Sequence, residues 1–122
     1  MSSINDPIEW HRIHPAGTKG ISFLADGEIR EMELGGKRIC LARDGSAIFA
    51  VDSKCPHNGA AFKNGFVEPG CIITCSLHRY QFNLETGKNI SGEGFYLEHY
   101  PLEIRGDGLF VGFPRKKLWG IF

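Results

Sequence analysis

Two short motifs, Cys55-Pro56-His57 and Cys75-Ser76-Leu77-His78, constrain this 122-residue chain more than any other feature. Seventeen residues, 58 through 74, separate His57 from Cys75. Each motif offers one thiol and one imidazole, in the same order. Four such side chains share a centre only if two loops face one another, so the rest of the chain must hold two loops in place.

The flanking sequence predicts strands and tight turns for that task. Residues 8–14 alternate enough for a first strand, and Glu28 to Leu34 alternate charged and apolar residues as a half-buried strand does. Gly35-Gly36 then predicts a hairpin turn, since paired glycines accept positive φ angles. Arg38–Arg43 returns, Asp44-Gly45 turns again, and Ala47–Val51 follows, which is an antiparallel meander. Cys71–Cys75 is β-prone and predicts a short strand between the two motif loops, with Cys40 and Cys71 as ordinary buried strand thiols. Glu85-Thr86-Gly87-Lys88 reads as a turn. Leu97–Ile104 and Leu109–Phe113 flank the hairpin signal Arg105-Gly106-Asp107-Gly108. His11 and His14, three apart in a strand, point to opposite faces, so these two and His99 read as solvent-exposed or packed histidines and not as a metal site, while Trp10 and Trp119 read as core or edge packing. The expectation is one all-β domain over residues 1–122 with little helix.

Composition narrows the partners. Fourteen Lys and Arg balance fourteen Asp and Glu, which gives no support to a nucleic-acid partner. No apolar run reaches the roughly 20 residues of a membrane span, and the first residues show no leader. The chain therefore reads as cytoplasmic, with no membrane partner. In that compartment structural disulfides are unusual, so its four cysteines need another use.

A [2Fe–2S] core takes four protein ligands, and in one version two histidines replace two cysteines on one iron. Structural zinc sites instead pair Cys with Cys and His with His, or use cysteine throughout. The interleaved order here favours the iron–sulfur reading. Neutral imidazoles in place of thiolates make the cluster less negative and raise its potential.

Cys-x-His, seventeen residues, then Cys-x-x-His resembles the signature of Rieske proteins. Gly59-Ala60, Phe82-Asn83, Thr86-Gly87-Lys88, Tyr100-Pro101-Leu102 and Gly108–Val111 extend the likeness over most of the chain. The resemblance implies an antiparallel β-sandwich with a small cluster-binding subdomain, approximately 53–84, carrying one [2Fe–2S] cluster. It implies Cys55 and Cys75 on one iron and His57 and His78 on the other. Rieske proteins of quinol-oxidising complexes carry a further cysteine in each loop, at positions held here by Ala60 and Leu77, and a tyrosine where this chain has Phe82. Fewer hydrogen bonds to sulfur imply a potential toward the low end of a range spanning roughly −150 to +300 mV. A covering third loop falls on Ser91-Gly92-Glu93-Gly94, without proline.

The likeness is strongest to the ferredoxins of bacterial ring-hydroxylating oxygenase systems. It implies a one-electron carrier with no catalysis of its own, reduced by a flavin-dependent reductase and oxidised by a terminal oxygenase or other redox enzyme. The alternative is the small Rieske-like subunit of an NAD(P)H-dependent nitrite reductase. The basic-apolar C-terminus, Arg115 to Phe122, reads as a tail packed on the sandwich, with a docking segment for an acidic partner as the alternative.

Overall fold

A computed structural model describes residues 8–13, 24–56, 59–77, 79–91, 94–105 and 108–114. It contains ten strands: β1 (Ile8–Arg12), β2 (Ile29–Leu34), β3 (Lys37–Asp44), β4 (Ala47–Asp52), β5 (Phe66–Glu68), β6 (Ile72–Thr74), β7 (Gln81–Asn83), β8 (His99–Tyr100), β9 (Leu102–Arg105) and β10 (Gly108–Pro114). The one helical element among the described residues is a 3-10 turn at Phe62–Asn64. All strand pairs are antiparallel, in three sheets ordered β1-β10-β9, β2-β3-β4-β8 and β5-β6-β7.

The meander forms where the turn chemistry places it. Leu34 pairs with Lys37 across Gly35-Gly36, whose φ angles are +58° and +81°. A two-residue hairpin with both central residues left-handed matches the twist of its strands, which is why glycine suits both positions. Gly35 also lies under the His11 imidazole, where an added Cβ would fall 2.6 Å from the ring. His11 packs against Phe113 with ring centroids 5.3 Å apart, the packed one of the two roles the sequence left open for it. His14, Trp119 and the C-terminal tail lie outside the described residues.

The centre of the middle sheet, residues 39–42 of β3, is buried on both faces. On β3, Ile39 and Leu41 join Leu109, Val111 and Phe113 in one apolar core, whereas Cys40 and Ala42 join Phe62, Ile73 and Phe82 in another. Successive strand residues point to opposite faces, so β3 sends side chains into both cores. Cys40 is the buried strand thiol the sequence predicts, and burial pushes its pKa up to about 12.

Two local expectations are corrected. Leu97–Ile104 is not one strand: β8 pairs with β4 in the middle sheet and β9 pairs with β10 in the outer one. Pro101 separates them. It has no N–H for a ladder, while its carbonyl accepts a hydrogen bond from the Gly112 amide at 2.9 Å, so the chain changes sheets there. Cys71 is not a strand residue either. It lies in the three-residue turn between β5 and β6 with φ of +63°, its amide donating to Asp44 Oδ2 at 2.7 Å.

Candidate metal centre

The β5-β6-β7 sheet and the segment entering it from β4 carry the two motif cysteines. Cys55 is 2% exposed and Cys75 fully buried, and both belong to the core that contains Phe62 and Phe82. None of the chain's four cysteines is in a disulfide.

The two loops close in the same way. In the first, the Cys55 amide donates to the Ala60 carbonyl at 2.8 Å, and Lys54 bridges to Ala61 outside it. In the second, the Cys75 amide donates to the Tyr80 carbonyl, also at 2.8 Å, and Thr74 pairs with Gln81 outside it. Each cysteine therefore opens a six-residue loop cinched by a bond to the fifth residue beyond it. The residue four beyond each cysteine is left-handed: Gly59 at +80° and Arg79 at +56°. Glycine reaches that conformation freely, and an arginine there costs about 1–2 kcal/mol of backbone strain.

The segment between the loops ties them to each other. The Phe62 amide donates to the Ser53 carbonyl at 2.9 Å, just before the first loop, and Phe66 pairs with Thr74, just before the second. Gly65 makes this approach sterically feasible, because an added Cβ would lie 2.0 Å from the Thr74 carbonyl oxygen. Phe62 and Phe82 meet edge to face, with centroids 6.0 Å apart, on the apolar side of the pair of loops. Such a pair contributes about 1 kcal/mol beyond its area burial. Phe82 brings no hydroxyl to the site.

Sequence reasoning missed the brace under the third loop. The Asn89 side-chain oxygen accepts from the Ser91 amide and hydroxyl, both at 3.0 Å. Ser91 Oγ in turn accepts from the Gln81 amide at 3.1 Å, and the Ile90 amide donates to the Gln81 carbonyl at 2.8 Å. Residues 89–91 are thus laid beside the exit of the Cys75 loop. The Asn-x-Ser spacing was visible, but short polar residues in a loop carry no signal of what they brace. Gly92 and Glu93 lie outside the described residues, as do His57, Asn58 and His78.

The described donors suit an iron–sulfur centre. Two thiolates in an apolar core would be costly unless their charge were compensated, and binding to iron compensates it. Matched loops offer those two sulfurs in equivalent settings. Among the described residues, no helix is long and apolar enough to cross a membrane.

Comparison with known proteins agrees with this geometry. The ferredoxin component of an alkene monooxygenase system from Xanthobacter autotrophicus is 27% identical over 92 residues, covering 75% of each chain. A chain from the complex of reduced oxygenase and oxidised ferredoxin in carbazole 1,9a-dioxygenase superposes with a TM-score of 0.69 at 24% identity, covering 84% of this chain and 91% of that one. A putative NADH-dependent nitrite reductase small subunit from Mycobacterium tuberculosis superposes with a TM-score of 0.76 at 18% identity, covering 88% and 97%. These likenesses confirm the antiparallel Rieske fold. The Rieske [2Fe-2S] domain profile matches residues 18–100, over two thirds of the chain, and the protein belongs to that family.

Proposed function

We propose that this chain is a one-electron carrier that delivers electrons to a terminal oxygenase and catalyses no reaction alone. The observation that carries the reading is the pair of identically cinched loops with Cys55 and Cys75 at their bases, in a chain whose relative is a ferredoxin component of a monooxygenase system. When bound, the [2Fe–2S] cluster accepts and releases a single electron.

Cys55 and Cys75 hold one iron; His57 and His78 hold the other. Residues 53–84 form the cluster-binding unit, with Phe62 and Phe82 excluding water from its inner side. With Phe82 in place of a tyrosine, we expect a potential near the lower end of the Rieske range, roughly −150 mV. A flavin-dependent reductase is the proposed donor. We place the carrier in the cytoplasm, where its thiols stay reduced.

The second reading, the small subunit of a nitrite reductase, is favoured by the TM-score of 0.76 to the mycobacterial chain. The first test is electron paramagnetic resonance of anaerobically purified, dithionite-reduced protein, with iron, sulfide and zinc quantified. The expected result is two irons per chain and an average g below that of all-cysteine ferredoxins. Stoichiometric zinc without iron would overturn the carrier reading. Reoxidation of the reduced protein by an oxygenase, but not by a sirohaem nitrite reductase, separates the first reading from the second.

A further inference from the structure

The neutral chain separates its charge. Between residues 53 and 84, Lys54, Lys63 and Arg79 stand against Glu68 alone, a formal +2. Elsewhere eleven basic residues meet thirteen acidic ones, a formal −2. The basic excess therefore lies in the segment that carries both cysteines.

These three cations lie at or between the two cysteine loops. Lys54 directly precedes Cys55 and bridges to Ala61. Lys63 occupies the 3-10 turn that joins the two loops. Arg79 forms the left-handed corner of the second loop, its guanidinium 5.7 Å from the centre of the Phe66 ring. All three are exposed, and among the described residues none is held in an ion pair. Arg30, Arg38 and Arg105, on the strands, each hold a glutamate instead. Glu68 is engaged locally, accepting from Thr74 Oγ1 at 3.0 Å and Gln81 Nε2 at 3.3 Å. The same segment leaves Phe66 39% and Leu77 48% exposed.

We propose that Lys54, Lys63 and Arg79, with Phe66 and Leu77, form a docking face for a redox partner whose matching surface is rich in Asp and Glu. The proposal rests on the carrier reading and adds the partner's charge. A carrier must meet its partner quickly and leave quickly. Opposite charge raises the encounter rate, and a small apolar centre excludes water without making the complex permanent. A face with three exposed cations that hold no ion pair among the described residues, together with two exposed apolar side chains, has that composition.

Small redox complexes of opposite charge test the face without the natural partner. The reduced protein gives one electron to hexacyanoferrate(III), forming hexacyanoferrate(II), or to tris(phenanthroline)cobalt(III), forming the cobalt(II) complex. Raising the salt from about 10 mM to about 300 mM should slow the anionic oxidant roughly fivefold and speed the cationic one. Lys54→Gln and Lys63→Gln should each slow the anionic reaction about twofold at low salt, and Lys37→Gln should leave it unchanged. In parallel, carbodiimide coupling of a poly-glutamate peptide, located by mass spectrometry, should join Lys54 and Lys63 ahead of Lys37 and Lys88. A salt response of the opposite sign, or coupling without preference for Lys54 and Lys63, would overturn the proposal. Failure of the carrier reading has a different signature: no electron passes to either oxidant, while the coupling pattern still reports the face.

Discussion

In the Cys55 loop the left-handed corner falls on Gly59, whereas in the Cys75 loop the equivalent corner falls on Arg79. Both loops make the same 2.8 Å closing bond from cysteine amide to the fifth carbonyl beyond. The backbone geometry is thus shared and the residues that achieve it are not. Gly59 has open space around its missing Cβ, so its role is conformational. Arg79 accepts strain, and its guanidinium lies over the Phe66 ring, a contact that offsets about 0.5–1 kcal/mol of it. A loop of this shape needs a left-handed corner; it does not need glycine if the side chain gains a contact.

The comparison breaks most severely at the cysteines. Cys55→Ser and Cys75→Ser should each abolish cluster retention, with iron per chain falling close to zero in both. Iron analysis that found one variant loaded would show the loops to be unequal. A histidine exchange sharpens the point: His57→Cys and His78→Cys, where a cluster assembles, should each lower the potential by roughly 100 mV or more, because a thiolate adds negative charge. Protein-film voltammetry reads this, and an unchanged potential contradicts the assignment of that histidine.

Gly65→Ala attacks the tie between the loops. The new Cβ would meet the Thr74 carbonyl at 2.0 Å and force the strands apart, at about 2–3 kcal/mol. Thermal denaturation should show a clear drop in Tm together with weaker iron retention. Smaller effects separate the corners. Gly59→Ala should cost about 1 kcal/mol, whereas Arg79→Gly should change stability by less than about 0.5 kcal/mol, strain relief offsetting the lost ring contact. Equal losses at both corners in urea denaturation would refute the distinction.

The core beneath the loops makes a pH prediction. The Cys40 thiol is raised from 9.0 to about 12, chiefly by burial. Above pH 9 the unfolded chain releases that proton while the folded chain keeps it, so stability falls as pH rises toward 12, by at most about 1.4 kcal/mol per pH unit from this group. Cys40→Ala should flatten the alkaline arm of a plot of urea midpoint against pH. An unchanged slope would assign that loss to other groups.

The family and the meander were readable in advance because both follow local rules. The Cys/His order points to the Rieske family through side-chain chemistry. Gly35-Gly36 and Asp44-Gly45 announce turns through φ angles that favour glycine, and the observed pairs Leu34 with Lys37 and Asp44 with Ala47 fall where those turns put them. Other features depend on which surfaces meet. Residues 39–42 are wholly buried because sheets pack on both sides of β3, so alternation marks no solvent face there. Leu97–Ile104 reads as one β-prone run, and only the bond from the Gly112 amide of β10 to the Pro101 carbonyl, with the two strand pairings, assigns its halves to different sheets.

The sequence by itself therefore determined the order of the two Cys/His motifs and the antiparallel turns, since each depends on residues adjacent in the chain. Only the tertiary structure decided that the two cysteine loops close alike, that Arg79 takes a glycine's conformation, and that Cys71 sits in a turn held by Asp44. Those outcomes depend on contacts between distant segments, whose combined energy outweighs the local preference of any single residue.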